Sequence, residues 1–199
     1  MHLPPPSTYH PQLADERLRA IAERLLDIRY GALRELNSPF DDNFTRETTV
    51  FGRSRNMLIH LSLSGRYEWL ALVHSGMDVT FTIDGIPCRF FRDDPEAPEK
   101  VGFFKRNTFD SLFSEDDSAP VLWRFVVEKA LTEEDEDRVH FVGYNLFQDK
   151  VSEWIYSGAL AKPHAVDREI PVAAEIPAPE IDVRVDLPAE ERSKTGSNS

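Results

Sequence analysis

"DVTFTIDGIPCRFF", residues 78–91, is the stretch that decides the architecture. Asp84-Gly85 is a two-residue pair that tolerates the positive φ angles of a type I′ turn. Folding about it sets Ile83 against Ile86, Phe81 against Cys88 and Val79 against Phe90 on one face. Thr82 against Pro87 and Thr80 against Arg89 fall on the other. Apolar and polar rows separate without adjustment, so the stretch is a β-hairpin. Cys88 lies inside the apolar row, while Arg89 points the opposite way and Arg92 lies beyond the strand. That placement predicts a buried, inert thiol rather than a nucleophile.

Period two continues on both sides. Downstream, "VGFFKR" and a short apolar "TFDSLF" precede the loop "SEDDSAP". "VLWRFVVEKA" then alternates Val121, Trp123, Phe125 and Val127 with more polar neighbours, and "RVHFVGYNLF" and "VSEWIYSG" supply two further strands. Upstream, "RYEWLALVH" reads as a strand, although its continuous apolar run also fits a short buried helix. "TVFGRS" and "NMLIHLSLSG" read as strands as well, the second with Met57, Ile59, Leu61 and Leu63 on one face. Before them the period changes. Leu18, Ile21, Ala22, Leu25, Ile28, Ala32, Leu33 and Leu36 trace one helical stripe over 13–36, with Arg29 among the charges of the solvated side. Pro39 ends this helix by pushing Ser38 out of helical geometry.

The expected fold is therefore α+β: a long N-terminal helix packed on a mainly antiparallel β-sheet, forming one domain over 13–161. Residues 1–12, with Pro4, Pro5, Pro6 and Pro11, are expected to be irregular. Residues 162–199 carry five prolines and no aromatic residue, which predicts a Pro-rich, acidic, disordered tail.

The 199 residues carry a net charge of −12, which disfavours phosphate backbones as ligands and suits a basic protein partner or simple solubility. A single cysteine excludes an internal disulfide. "MHLPPPSTYHPQ" has neither the basic start nor the apolar run of a secretory signal, and no apolar run approaches the roughly 18 residues that span a bilayer. These features predict a cytoplasmic protein that does not enter membranes. Phosphate-loop, dinucleotide-turn and nucleophile-elbow motifs are all missing, and no cofactor is implied.

Three candidate sites remain. His60 and Ser62 share a face if "IHLSL" is a strand. One H-x-S unit resembles half of the active site of 2H phosphoesterases, in which two such units exchange protons around a phosphodiester. Neither "VHSG" nor "VHFV" supplies the second unit, so that reading needs His60, His74 and His140 to meet in one cleft. The six histidines include no H-x₃-H pair, so no metal is expected. Second, Arg89, Arg92, Lys100, Lys105 and Arg106 interleave with Phe90, Phe91, Phe103 and Phe104, a pattern able to hold single-stranded nucleic acid. The same phenylalanines at strand spacing also suit a core. The acidic run Asp93, Asp94, Glu96 and Glu99 between them lacks an EF-hand glycine and reads as a solvated loop. Third, "EIDVRVDLP" sets Ile181, Val183, Val185 and Leu187 in a row opposite Asp182, Arg184 and Asp186, a pattern suited to strand addition at a sheet edge. The resulting expectation is a non-catalytic interaction protein: a regulator, inhibitor or antitoxin-like neutraliser of another protein. Oligomeric state is left open.

Overall fold

The structure is a computed structural model that describes residues 2–106, 118–130 and 136–158. The chain divides into Met1–His164 and Ala165–Ser199, and the second unit lies outside the described residues. The first unit contains α1 (Asp15–Glu35), α2 (Asn43–Leu63), β1 (Leu70–His74), β2 (Thr80–Ile83), β3 (Ile86–Phe91), β4 (Leu122–Glu128), β5 (Arg138–Tyr144) and β6 (Lys150–Ser157). It is an α+β fold with two helices packed on a six-stranded, mostly antiparallel sheet.

The hairpin forms in the register its turn dictates: Thr80 faces Arg89, Phe81 faces Cys88, Thr82 faces Pro87 and Ile83 faces Ile86. Asp84 (φ 47°) and Gly85 (φ 82°) both adopt the left-handed conformation of a type I′ turn. Strand order follows the chain, β1 to β6. Every neighbouring pair is antiparallel except β3 and β4, which run parallel with Cys88 beside Trp123 and Phe90 beside Phe125. Within "RYEWLALVH", Leu70–His74 is strand and the residues before it form a turn.

One expected element is corrected. "TVFGRS" and "NMLIHLSLSG", read as two strands, belong to α2 as far as Leu63. The Met57–Leu63 alternation is real, but Val50, Ser54, Leu58 and Leu61 are the buried residues, spaced at four, four and three. Ser54 interrupts that stripe in sequence and lets the period-two pattern stand out. Leu63 is 68% exposed, as a residue off the buried face should be. Arg29 is corrected as well: it is only 2% exposed, inside the α1 stripe.

Alternation puts two faces of the sheet to different uses. Phe81, Cys88, Phe90, Trp123, Phe125, Val139 and Phe141 meet Leu18, Ile21, Leu25 and Leu58 of the helices in the main core. The opposite face holds Leu122, Val126, Val142 and Tyr144 beneath Phe103, with Phe91 and Phe104 packed against them. Cys88 is fully buried, as its place in the apolar row predicts.

Candidate interaction site

The connection between α1 and α2 is a short polar turn whose hydrogen bonds are mostly local. Leu36 N donates to Ala32 O (2.9 Å) and closes α1. Asp41 N donates to Ser38 O (3.0 Å), Ser38 N donates to the Asp41 carboxylate (2.9 Å), and Phe40 N donates to Ser38 Oγ (3.3 Å). Asp42 is the N-cap of α2 and accepts from Thr45 N at 2.7 Å, satisfying one of the donors that every helix start leaves unpaired. Arg46 Nε reaches back to Leu36 O (2.8 Å) and ties the two helix ends together. Hydrogen bonds from Ser38 hold the Asp41 carboxyl below its ordinary range, and those from Thr45 do the same for Asp42. Both therefore keep their charge to lower pH than a free aspartate.

The polar groups of this turn shape it, and its aromatic groups are left outside. Phe40 is 92% exposed and Phe44 76%. A phenylalanine gains on the order of 2 kcal/mol by leaving water, and two of them at one turn forgo that gain in the isolated chain. The turn also stands on a fixed base. Arg53 pairs with Glu35 across the two helices (2.6 Å). Below them, buried Arg29 pairs with Asp137 (2.5 Å) and lies 3.7 Å from Glu47 of α2, which also pairs with Arg92 after β3. Burial, and then the nearby Arg29 charge, weaken Arg92's hold on its proton. Four separate segments thus converge under the loop through charged groups.

The residues singled out in the sequence fall elsewhere and apart. His60 is exposed on α2, and on a helix Ser62 lies roughly 200° around the axis from it, so the two share no face. His74 is exposed at the end of β1, while His140 is buried on β5. Those strands are four spacings apart, roughly 19 Å. The three histidines are not brought together. His140 instead sits between two carboxylates, Nδ1 at 3.0 Å from Glu153 and Nε2 at 3.0 Å from Glu128. Lys150 adds a contact to Glu153 (3.0 Å) and another to Glu96. Burial alone would raise the Glu153 carboxyl, but the hydrogen bonds from His140 and Lys150 outweigh it and bring it below its ordinary value. With both ring nitrogens engaged, His140 offers none to an incoming substrate. The cluster fastens the sheet to the acidic segment, where the Tyr144 hydroxyl also donates to Pro95 O (2.9 Å).

The basic residues are likewise dispersed. Arg89 is buried, donating to Lys105 O (3.1 Å) and pairing with Asp78 (3.1 Å). Arg92 pairs with Glu47, and only Lys100, Lys105 and Arg106 stand exposed. Phe90 and Phe91 face opposite sides of the sheet, each within one of the two cores. Asp93 folds the acidic run on itself by accepting from Glu99 N (3.1 Å) and Lys100 N (2.8 Å). Among the described residues no group of three His, Cys, Asp or Glu side chains is placed to hold a metal, and no helix is long and apolar enough to cross a membrane. Ile181, Val183, Val185 and Leu187 lie outside the described residues, as does "TFDSLF".

The aromatic loop went unnoticed in the sequence because "NSPFDDNF" carries an obvious breaker and reads as a helix end. Its signal was two phenylalanines that belong to no periodic row. No family model, curated protein or solved structure matches the chain.

Proposed function

We propose that this chain is a non-catalytic protein-interaction module, a regulator, inhibitor or antitoxin-like neutraliser that engages a partner protein through the α1–α2 loop. The observation that carries this reading is the pairing of a turn held by its own hydrogen bonds with two phenylalanines left in water at 92% and 76% exposure. Aromatic side chains are enriched at protein interfaces, and a turn held by its own hydrogen bonds has little entropy left to lose on docking. The acidic charge of −12 adds selectivity for basic surfaces.

The test replaces Phe40 with a photoreactive phenylalanine analogue in the native host, with Phe147 as the comparison position. Phe147 is 69% exposed and lies between β5 and β6. A discrete protein adduct at position 40 and none at 147 is the expected result. No adduct at 40, or the same adducts at both positions, would remove the reading.

A further inference from the structure

We infer that the surface receiving this loop is an apolar pocket rimmed by lysine or arginine on a different protein. This inference rests on the proposed docking role and adds the chemistry of the partner to it.

The charges between Phe40 and Phe44 are both negative, with Arg46 the nearest cation. Asp41 and Asp42 lie directly between them in sequence, and each carboxylate uses a lone pair to hold the turn while remaining at the surface. An ionised carboxylate has about four acceptor sites, so both keep capacity for an outside donor. The neighbouring cations are directed inward or along the helices. Arg46 is folded onto Leu36 O, Arg53 is paired with Glu35, Arg34 bonds one turn back to Tyr30 O, and Arg29 and Arg92 are held by Asp137 and Glu47. The tip therefore presents two apolar rings bracketing two anions, and the nearest cation, Arg46, is half-buried with Nε held on Leu36 O, so its charge only partly offsets the two carboxylates. Docked against a neutral apolar surface, the carboxylates would lose water and gain nothing. A cationic rim supplies charge-assisted hydrogen bonds to both.

The same pattern decides against two other occupants. A second copy of this chain brings another −12 and another acidic tip, so approach of two such loops is opposed by their own fields. An anionic lipid surface repels Asp41 and Asp42 at the depth where the rings would insert.

The experiment measures binding of the purified full-length chain to the protein cross-linked at position 40, by calorimetry at about 50 mM and about 300 mM salt, conditions that bracket strong and weak screening. Two variants separate the components. F40A/F44A removes the anchors. D41N/D42N removes the charges and keeps the acceptor oxygens, since asparagine caps helices as well as aspartate does. Both should melt as the wild type does. F40A/F44A is expected to weaken binding about 30-fold or more at both salt levels. D41N/D42N is expected to weaken it several-fold at low salt, with little further effect at high salt, flattening the salt dependence. Wild-type affinity and salt dependence in D41N/D42N would overturn the basic-rim inference while leaving the docking role standing. So would an adduct at position 40 that proves to be lipid or a second copy. Wild-type affinity in F40A/F44A would overturn both together.

Discussion

Glu47→Ala isolates the charged base on which the α1–α2 loop stands. Glu47 is the anion shared by Arg29 and Arg92, with side-chain exposures of 16%, 2% and 26% respectively. Removing one partner of a buried ion pair typically costs about 3–5 kcal/mol, because the surviving charge stays in a poorly solvating site. Two features lower that figure. Arg29 retains Asp137 at 2.5 Å, and Arg92 is exposed enough to recruit water. The expected loss is about 2–3 kcal/mol, read as a lower urea midpoint with an unchanged slope. Glu47→Gln keeps the shape and should lose most of the same amount, which distinguishes missing charge from a cavity. In an Arg92→Met background the Glu47→Ala loss should shrink by about 1–2 kcal/mol, the coupling expected of residues in one network. A Glu47→Ala loss below about 0.5 kcal/mol, the range of ordinary surface substitutions, would refute the claim that this network joins the helices to the strand ends.

Gly143→Ala should destabilise by about 1–3 kcal/mol through overpacking. The added Cβ would lie 2.7 Å from the Trp123 ring and 2.8 Å from Pro120, and Trp123 is stacked on Phe141 and has nowhere to retreat. A thermal melt with near-ultraviolet circular dichroism reads both effects; a wild-type melt and spectrum would place the indole elsewhere. Glu153→Gln tests the His140 cluster through pH. The folded carboxyl titrates below its ordinary 4.5, so its contribution is complete above about that pH and fades as pH falls through the lower folded value. The stability gap between wild type and Glu153→Gln should therefore narrow in acid, and a gap independent of pH would sink the assignment. Cys88 should react with thiol reagents only on unfolding, and Cys88→Ala should cost about 1 kcal/mol. Rapid labelling of the native protein would contradict its burial.

Local chemistry was legible wherever one signal stood alone. Asp84-Gly85 fixed its hairpin because turn geometry and side-chain alternation demand the same register. Helix α1 was legible from its stripe, apart from Arg29, whose partners lie on elements distant in sequence and are supplied only by tertiary structure. Helix α2 was misread because two periodicities overlap in residues 57–63, and the helical one passes through Ser54, a polar residue at a buried position. Arg89 and Arg92 looked like a surface patch for a related reason. A cation among phenylalanines is equally suited to holding nucleic acid and to fastening the carbonyls of a crossing segment. The sequence cannot say which until Gly102, Lys105 and Asp78 are placed around it.

The lone parallel pair carries a kinetic consequence. β1–β2–β3 and β4–β5–β6 are each meanders joined by short connections, so either can zip from local encounters. Joining β3 to β4 instead requires the chain from Arg92 to Val121 to loop back before any seam contact forms, and loop-closure entropy opposes that step. The midline of the sheet should then be where folding waits, with the stacked aromatics of β3, β4 and β5 assembling after the two halves exist. A chain cut within the crossover would present two pieces that each hold their own hairpins and meet along the β3–β4 edge and beneath the two helices.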